Sequence, residues 1–234
     1  MHDSGFGRLL GVLVAPGKTF RSIAERPTWW AALAVLMLST LGVGLIAAPR
    51  VDYEDIIRQQ IAKSGRDVPQ EQLDKQIEFV KKARTPLVAV QVVVTPLVIA
   101  LLTLVPWVAF KLLGSEIDYG RSFAVTLHAA MPQVLSALLS IPVILSRPSL
   151  GYEDVRAGSF LKSNLAALVG TPDTKASVYA LLSSLDVFAL WTWALLFLGY
   201  REVAKVSTAK AATTIAVLWL IFVGVKVGWA ALFG

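Results

Sequence analysis

The stretch Ser183-Ser184-Leu185-Asp186-Val187-Phe188-Ala189-Leu190-Trp191-Thr192-Trp193 lies within an apolar run that extends from Ala176 to Tyr200. A run of this length predicts a membrane-spanning helix, because about 20 apolar residues cross the ~30 Å hydrocarbon core. Asp186 is the one charged residue in the run, and we expect it about 15 Å from the start of the helix. An aspartate at the centre of such a helix costs roughly 2.5 to 3.5 kcal/mol, so it should face protein and be paired, protonated or hydrogen-bonded.

The composition of the whole chain is that of an integral membrane protein. Of its 234 residues, 56% are hydrophobic and 16% are charged, whereas about 25% are charged in a soluble domain. The chain has no cysteine and two histidines, so we expect no disulfide, no metal site and no cofactor. The net charge of +6 comes from residues between the apolar runs, which indicates contact with anionic headgroups of the lipid bilayer and no nucleic acid partner.

Five apolar runs predict an all-α, polytopic integral membrane protein with five transmembrane helices. We expect these spans within a membrane domain at 28–234, at about residues 28–48, 86–114, 122–146, 176–200 and 208–233. Prolines inside the second and third spans predict kinked or steeply tilted helices. The link 201–207 is short, so the fourth and fifth spans should be antiparallel neighbours.

Two segments outside these spans carry amphipathic patterns. The N-terminal segment 1–27 places Phe6, Leu9, Leu10, Leu13 and Val14 on one helical face, which predicts a helix that lies on the membrane surface. The loop 50–84 has eight basic and seven acidic residues and so lies outside the bilayer. Its two apolar stripes predict an extramembrane helical hairpin, either resting on the headgroups or docking a protein partner.

We expect Asp186 to belong to an intramembrane polar cluster with Ser183, His128 and Lys226. Lys226 is the predicted partner, because the short link brings the fifth span beside the fourth and the lysine stem can cover the axial offset. His128 in the third span is the competing partner. Alternatively, Lys226 reaches for the interface while a neutral Asp186 bonds to helix hydroxyls such as Ser183.

Gly224 and Gly228 flank Lys226 in the fifth span. Two small residues four positions apart let another helix approach closely. We therefore expect helix packing at this face, and the pattern is compatible with a homo-oligomer.

The basic residues predict the orientation. The N-terminal segment and the link after the fourth span are net positive, whereas the long loops are nearly balanced. The positive-inside rule then places the N-terminus in the cytoplasm. We expect a multi-pass protein of the cell (inner) membrane.

Three short motifs resemble a known family. They are Pro16-x-x-Thr19-Phe20-x-x-Ile23-x-x-x-Pro27, Asp186-x-Phe188-x-x-Trp191 and Ser207-x-x-Lys210-Ala211. In this order and with five spans, the chain resembles the Yip-one domain family of five-span membrane proteins. The resemblance implies the fold and a membrane location. Eukaryotic members are implicated in binding prenylated Rab-type GTPases through a long N-terminal region, whereas this chain is similar to the short prokaryotic members.

Two functions follow from these patterns. We interpret the chain first as a non-enzymatic membrane protein that scaffolds or organises a membrane through contacts with partners or lipid headgroups. The alternative is a transporter or channel for a small solute or ion that uses Asp186, His128 and Lys226. We predict no enzymatic activity, because no nucleophile stands at a recognisable spacing from a base.

Overall fold

The computed structural model describes residues 5–65, 67–156, 160–171 and 173–233, and these residues are helical apart from links and two isolated backbone bridges. The helices are α1 (Gly5–Val14), α2 (Pro16–Glu25), α3 (Trp30–Ala47), α4 (Tyr53–Ser64), α5 (Gln70–Leu112), α6 (Tyr119–Ala129), α7 (Met131–Leu145), α8 (Tyr152–Arg156), α9 (Leu165–Val169), α10 (Ala176–Ser184), α11 (Val187–Val203) and α12 (Thr208–Phe233).

Four helical segments among the described residues are long and apolar enough to cross a membrane. They are Trp30–Arg50, Gln70–Leu112, Tyr119–Leu145 and Thr208–Phe233. The first joins α3 to a short 3-10 turn, and the third joins α6 to α7. An all-α protein with several helices of membrane-spanning length is therefore confirmed, whereas the described residues contain four such helices and not five.

The difference lies in the predicted fourth span, 176–200. The sequence predicts one continuous helix there, but the structure has α10 and α11 with a break at Leu185 and Asp186. Asp186 has an extended backbone, with φ −105° and ψ 137°, and it is the N-cap residue of α11. The physical reason is that an aspartate is stabilising at a helix N-cap, where its carboxylate accepts backbone N–H groups, and costly in the middle of a helix.

The loop 50–84 and the second span also differ from their predicted bounds. α5 has 43 residues, about 64 Å of helix, so it includes the second half of that loop as well as the span. Its buried residues Leu73 and Ile77 lie in the part beside α4. Three prolines, Pro86, Pro96 and Pro106, lie inside it without ending it.

The N-terminal helices pack against the membrane helices rather than lying apart from them. On α1, Leu9 and Val12 are buried, while Phe6, Leu10 and Val14 of the predicted apolar face are exposed. α2 packs on α11. The predicted surface helix therefore covers part of the core with one side, because its apolar residues occupy more than one face.

Phe20 on α2 is fully buried where α11 has a glycine. A Cβ atom added at Gly199 would lie 2.9 Å from a ring carbon of Phe20 and 2.5 Å from a methyl group of Val125 on α6. Contacts this close are shorter than van der Waals distances. Gly199 therefore allows α2, α6 and α11 to meet in one core.

Polar contacts tie together the loops at each end of the helices. At the N-terminal face, Arg121 Nε donates to the Ala24 carbonyl at 2.9 Å, and Ser115 Oγ donates to the Ala204 carbonyl at 2.7 Å. At the opposite face, Leu150 N–H donates to the Arg50 carbonyl at 2.8 Å. The N-terminal face is thus the end of the helical bundle that carries Ala24, Ser115, Arg121 and Ala204, and the opposite face is the end that carries Arg50 and Leu150.

Candidate functional site

The break between α10 and α11 is held by the carboxylate of Asp186. Its Oδ1 accepts hydrogen bonds from the backbone N–H groups of Phe188 and Ala189, each at 2.9 Å. Its Oδ2 accepts a hydrogen bond from the hydroxyl of Ser163. Three donors thus converge on one carboxylate within the apolar run 176–200.

Ser163 belongs to the connector between α8 and α10, which turns back to meet the break. Leu165 N–H donates to the Leu185 carbonyl at 3.3 Å, and Val187 N–H donates to the Ser163 carbonyl at 3.1 Å. Backbone groups within a membrane need partners from protein or trapped water. The connector therefore supplies the backbone hydrogen bonds that the interrupted helix has lost.

Sequence reasoning missed this role of the connector. Asn164 is buried, pairs with Asp186 in a backbone bridge, and accepts from Ala167 N–H at 2.9 Å as the N-cap of α9. The signal that could have found it is the chain's one asparagine, placed directly before the apolar run Leu165–Val169. An asparagine there predicts a helix N-cap, and an apolar helix of five residues predicts burial against the bundle.

Lys226 does not form the ion pair with Asp186 that the sequence predicts. Its Nζ donates to the hydroxyl of Ser183 on α10 at 2.8 Å. Among the described residues, no carboxylate forms an ion pair with this ammonium. Ser183 in turn donates to the Ala180 carbonyl of its own helix at 3.1 Å.

Asp186, Ser183 and Lys226 line a cavity of about 610 Å³, which we call the polar chamber. Its walls come from α3, α5, α7, α10, α11, α12 and the connector, and they combine polar and aromatic side chains. The further polar residues are Thr40, Gln91, Gln133, Ser136, Ser140, Asn164 and Ser184, and the aromatic ones are Phe160, Trp193, Trp219 and Phe222. This volume and mixed lining are typical of a site for a small ligand.

The polar chamber lies nearer the opposite face than the N-terminal face. Asp186 precedes the 17 residues of α11, which place it about 25 Å from the end of that helix. Lys226 lies about 27 Å along α12 from Thr208 at 1.5 Å per residue. Both depths fall within the hydrocarbon core if the N-terminal face marks one boundary of the membrane.

His128 lies away from this cluster. Its ring is almost fully buried on α6, and its Nδ1 is 2.8 Å from the Ala124 carbonyl of the same helix. It does not line the polar chamber. The reason is that α6 packs against α2 and α11 near the N-terminal face, whereas the chamber reaches the third predicted span only at Gln133 and beyond.

The glycine pair of α12 faces open space in this chain. A Cβ atom added at Gly224 or Gly228 would have no heavy atom within 4 Å. Helix packing at these two glycines therefore does not occur between the described helices of one chain.

The motif residues before α3 shape α2. Pro16 is in the first turn of α2, where its missing N–H is tolerated. Thr19 Oγ1 donates to the Ala15 carbonyl at 3.1 Å and lies against Gly11 of α1. With Phe20 packed beside α11, and Pro27 in the link to α3, this motif fixes α2 on the bundle.

The two later motifs begin helices. Phe188 donates its N–H to Asp186, and Trp191 packs against the main hydrophobic core. Lys210 is exposed, and its N–H donates to Ser207 Oγ at 3.3 Å in the first turn of α12. Their positions therefore assign the motif residues to capping and packing, with Asp186 alone among them lining the polar chamber.

A comparison with known protein families agrees with these motif positions. The family model of the Yip1 domain matches residues 10–230. The chain belongs to the Yip1 domain family. The resemblance predicted from the three motifs is confirmed. No solved structure matches the chain.

A bacterial relative of this chain is also a membrane protein. The chain is 22% identical over 215 residues to the membrane protein YknW of Bacillus subtilis (strain 168), covering 92% of this chain and 86% of that protein. The similarity thus covers most of the length of both proteins. It identifies this Yip1 family chain as a membrane protein with relatives in bacteria.

Proposed function

We propose that this Yip1 family protein binds a small polar solute or ion inside the membrane and passes it across, as a transporter or channel. One observation carries the proposal: α10 and α11 are interrupted at Asp186, and the interruption opens onto the polar chamber. Interrupted helices are tolerated in membranes where they line a cavity, and transporters use them to form midplane binding sites.

The lining of the chamber supports a hydrated or ligand-filled space. Gln91 and Gln133 are exposed within membrane-length helices. Among the residues that the structure describes, the Gln133 Nε2 amide makes one long hydrogen bond, 3.3 Å, to Thr192 Oγ1. Transfer of an amide group from water to hydrocarbon without a hydrogen-bond partner costs roughly 2 to 7 kcal/mol of free energy. Water or a polar solute in the chamber offsets that cost.

The same lining favours binding over catalysis. Ser140 Oγ donates to the Ala137 carbonyl at 2.7 Å, and the carboxylate of Asp186 is engaged by three donors. A serine nucleophile needs a base within hydrogen-bond reach, and His128 lies outside the chamber. We therefore propose a non-enzymatic function.

The proposal includes five crossings of the membrane. α10 and α11 together have about the length of one span, with the connector filling the break between them. Five crossings put the residues 50–84 outside if the N-terminus is cytoplasmic. The proposed location is the cell membrane.

The absence of cysteine in the chain gives a direct test of the chamber. Ser136→Cys places a thiol in the chamber, and Leu101→Cys places one on the exposed apolar side of α5 as the control. In vesicles, a water-soluble charged methanethiosulfonate should label the first variant and not the second. No labelling of Ser136→Cys from either side would contradict transport through the chamber.

A second proposal, scaffolding, has its own observation. The side chains of Phe6, Leu10 and Val14 are 55%, 71% and 80% exposed, in one row along α1. We propose that this row enters the lipid headgroup region, and that α4 with the first part of α5, where Phe79 is 70% exposed, contacts a protein partner. Such contacts would organise a membrane without transport.

An environment-sensitive fluorophore tests the first of these contacts. Attached at Leu10→Cys, it should shift to shorter wavelength when the protein is moved from detergent into vesicles of anionic lipid. Attached at Lys18→Cys, an exposed position on α2, it should shift less. Equal shifts at both positions would contradict an α1 row immersed in lipid.

A further inference from the structure

We propose that the ligand of the polar chamber carries an anionic oxygen group, a carboxylate or a phosphate, and that the ammonium of Lys226 binds it. This inference rests on the proposed function, because it requires that the chamber be accessible. It assigns a chemical class to the ligand and a role to one side chain. It follows from the hydrogen-bond partners of the two charged side chains in the chamber, Asp186 and Lys226.

The negative charge in the chamber is already stabilised by the protein. Asp186 accepts from Phe188 N–H, Ala189 N–H and Ser163 Oγ, so both carboxylate oxygens are occupied. It also stands at the N-terminus of α11, where the helix dipole favours a negative charge. Asp186 therefore acts as the cap that holds the break, and it offers little to a cationic ligand.

The positive charge is used far less completely. An ammonium has three hydrogen-bond donors, and Lys226 uses one of them on Ser183 Oγ at 2.8 Å. Among the residues that the structure describes, no carboxylate is in contact with it, and the charge of Asp186 acts on it only at longer range. A cation that is half-buried at membrane depth is stabilised most by a charge-assisted hydrogen bond to an anion. The chamber thus contains a cation suited to an anionic ligand.

The rest of the wall fits a ligand with a small apolar part. The rings of Trp193 and Phe222 lie 6.0 Å apart between centroids, and Trp219 lines the same chamber. The amides of Gln91 and Gln133 offer neutral donors and acceptors. An anionic oxygen group beside Lys226 and an apolar portion against the indoles would fill both kinds of surface, and either a phospholipid or a soluble organic anion has this chemistry.

The closing experiment measures the charge preference of the chamber. Ser136→Cys is labelled in vesicles with an anionic sulfonatoethyl and a cationic trimethylammonioethyl methanethiosulfonate, each rate divided by the rate of that reagent with free cysteine. A charge about 10 Å away in partly screened surroundings changes such rates roughly tenfold. We expect the anionic reagent to be favoured by about that factor, and the preference to be lost in Lys226→Met.

Two further variants keep the result interpretable. Lys226→Arg retains the charge and should keep the preference even if Lys226→Met folds poorly. Lys210→Met removes the same charge from the same helix about 24 Å away and should leave the preference unchanged. Labelling by both reagents at equal corrected rates overturns the anion proposal while the transport proposal stands, and labelling by neither overturns the accessible chamber itself.

Protection of the Ser136→Cys thiol from labelling distinguishes a phospholipid headgroup from a soluble anion as the source of the anionic group. If a phospholipid headgroup occupies the chamber, labelling of Ser136→Cys should be slower in phosphatidylglycerol vesicles than in phosphatidylcholine vesicles. If a soluble anion occupies it, added inorganic phosphate should slow labelling in phosphatidylcholine vesicles. Protection by neither overturns the proposal that the chamber holds an anionic group.

Discussion

Lys226 on α12 donates a hydrogen bond to the hydroxyl of Ser183 on α10 at 2.8 Å, and not to the carboxylate three residues further along the chain. The carboxylate of Asp186 is instead bonded by Ser163 and by the first turn of α11. The two opposite charges of the chamber are thus held by different partners. Asp186 acts on Lys226 through its charge at longer range, but neither side chain is a hydrogen-bond partner of the other in the part of the chain that the structure describes.

Double-mutant cycles should therefore find a stronger coupling of Asp186 to Ser163 than to Lys226. Ser163→Ala removes a hydrogen bond to a charged group, worth about 1.5 to 3 kcal/mol, and residues that share a hydrogen bond are non-additive. We would measure the thermal stability of Ser163→Ala, Lys226→Met and Asp186→Asn, and of both double variants with Asp186→Asn, in detergent.

Ser146→Ala is the control for the loss of a hydroxyl. Ser146 is exposed and donates to the carbonyl of its own helix, so the change should stay within about 0.5 kcal/mol. A larger coupling of Asp186 to Lys226 than to Ser163 would restore the ion pair that the sequence predicts.

The sequence predicts the membrane class and the family, and both predictions are confirmed. Asp186 and Lys226 are found from the sequence alone because a charged residue in an apolar run is rare. Ser183 is found because it lies about one helical turn before Asp186. The break at Asp186 is not found from the sequence, because the largely apolar run 176–200 looks the same whether it forms one helix or two. What decides between them is a tertiary contact from Ser163, which lies 23 residues away in a polar connector.

The bounds of α5 illustrate a second limit. A change from charged to apolar residues near position 85 marks where the chain enters the membrane, and not where a helix begins. Polar residues such as Glu, Lys and Gln favour helix about as strongly as leucine does. One helix can therefore cross that boundary, and only the proline positions suggest otherwise.

Gly199→Ala should destabilise the protein. The new methyl group would overlap Phe20 and Val125, which are both fully buried, and overpacking of a core costs typically about 1 to 3 kcal/mol. Gly17→Ala is the matched control, because its Cβ would meet nothing within 4 Å and alanine is favoured over glycine in a helix such as α2 by about 0.5 to 1 kcal/mol. Thermal unfolding in detergent measures both.

A fall in the melting temperature of Gly199→Ala with no fall for Gly17→Ala is the expected result. Equal effects of the two substitutions would argue against the packing of α2 on α11. Phe20→Leu replaces the opposing ring with a smaller side chain and should recover part of the stability lost in Gly199→Ala. If it did not, the packing of α2 on α11 would also be contradicted.

Asp55 on α4 should make the contact between α4 and α8 dependent on pH. The backbone N–H of Tyr152 at 2.7 Å, followed by the amide of Gln59 at 2.9 Å, lowers the pKa of the Asp55 carboxyl below its ordinary value. A lowered pKa means that the stabilisation is complete above the unfolded value of about 3.9 and is lost as the pH falls through the lower folded value.

The measurement is the thermal stability of the wild type and of Asp55→Ala between about pH 3 and pH 7. The difference between the two proteins should be constant near neutral pH and should shrink towards the acid end. Asp52→Ala is not a suitable control, since Asp52 caps α4; Asp74→Ala, which changes an exposed carboxylate on α5, is suitable. A difference that does not change with pH would mean that the Asp55 carboxylate contributes nothing in its ionised form.

The orientation of the protein is tested by single cysteines at exposed polar positions on the two faces. Glu71→Cys on α5 and Thr171→Cys in the connector lie on the opposite face, and Lys18→Cys lies on α2 at the N-terminal face. With a cytoplasmic N-terminus, as the basic residues of the N-terminal segment predict, an impermeant thiol reagent should label the first two in intact cells. Lys18→Cys should react only after the membrane is permeabilised. Labelling of Lys18→Cys alone in intact cells would reverse the orientation. Labelling at Glu71 without labelling at Thr171 would mean that α5 and the pair α6 and α7 do not both cross the membrane.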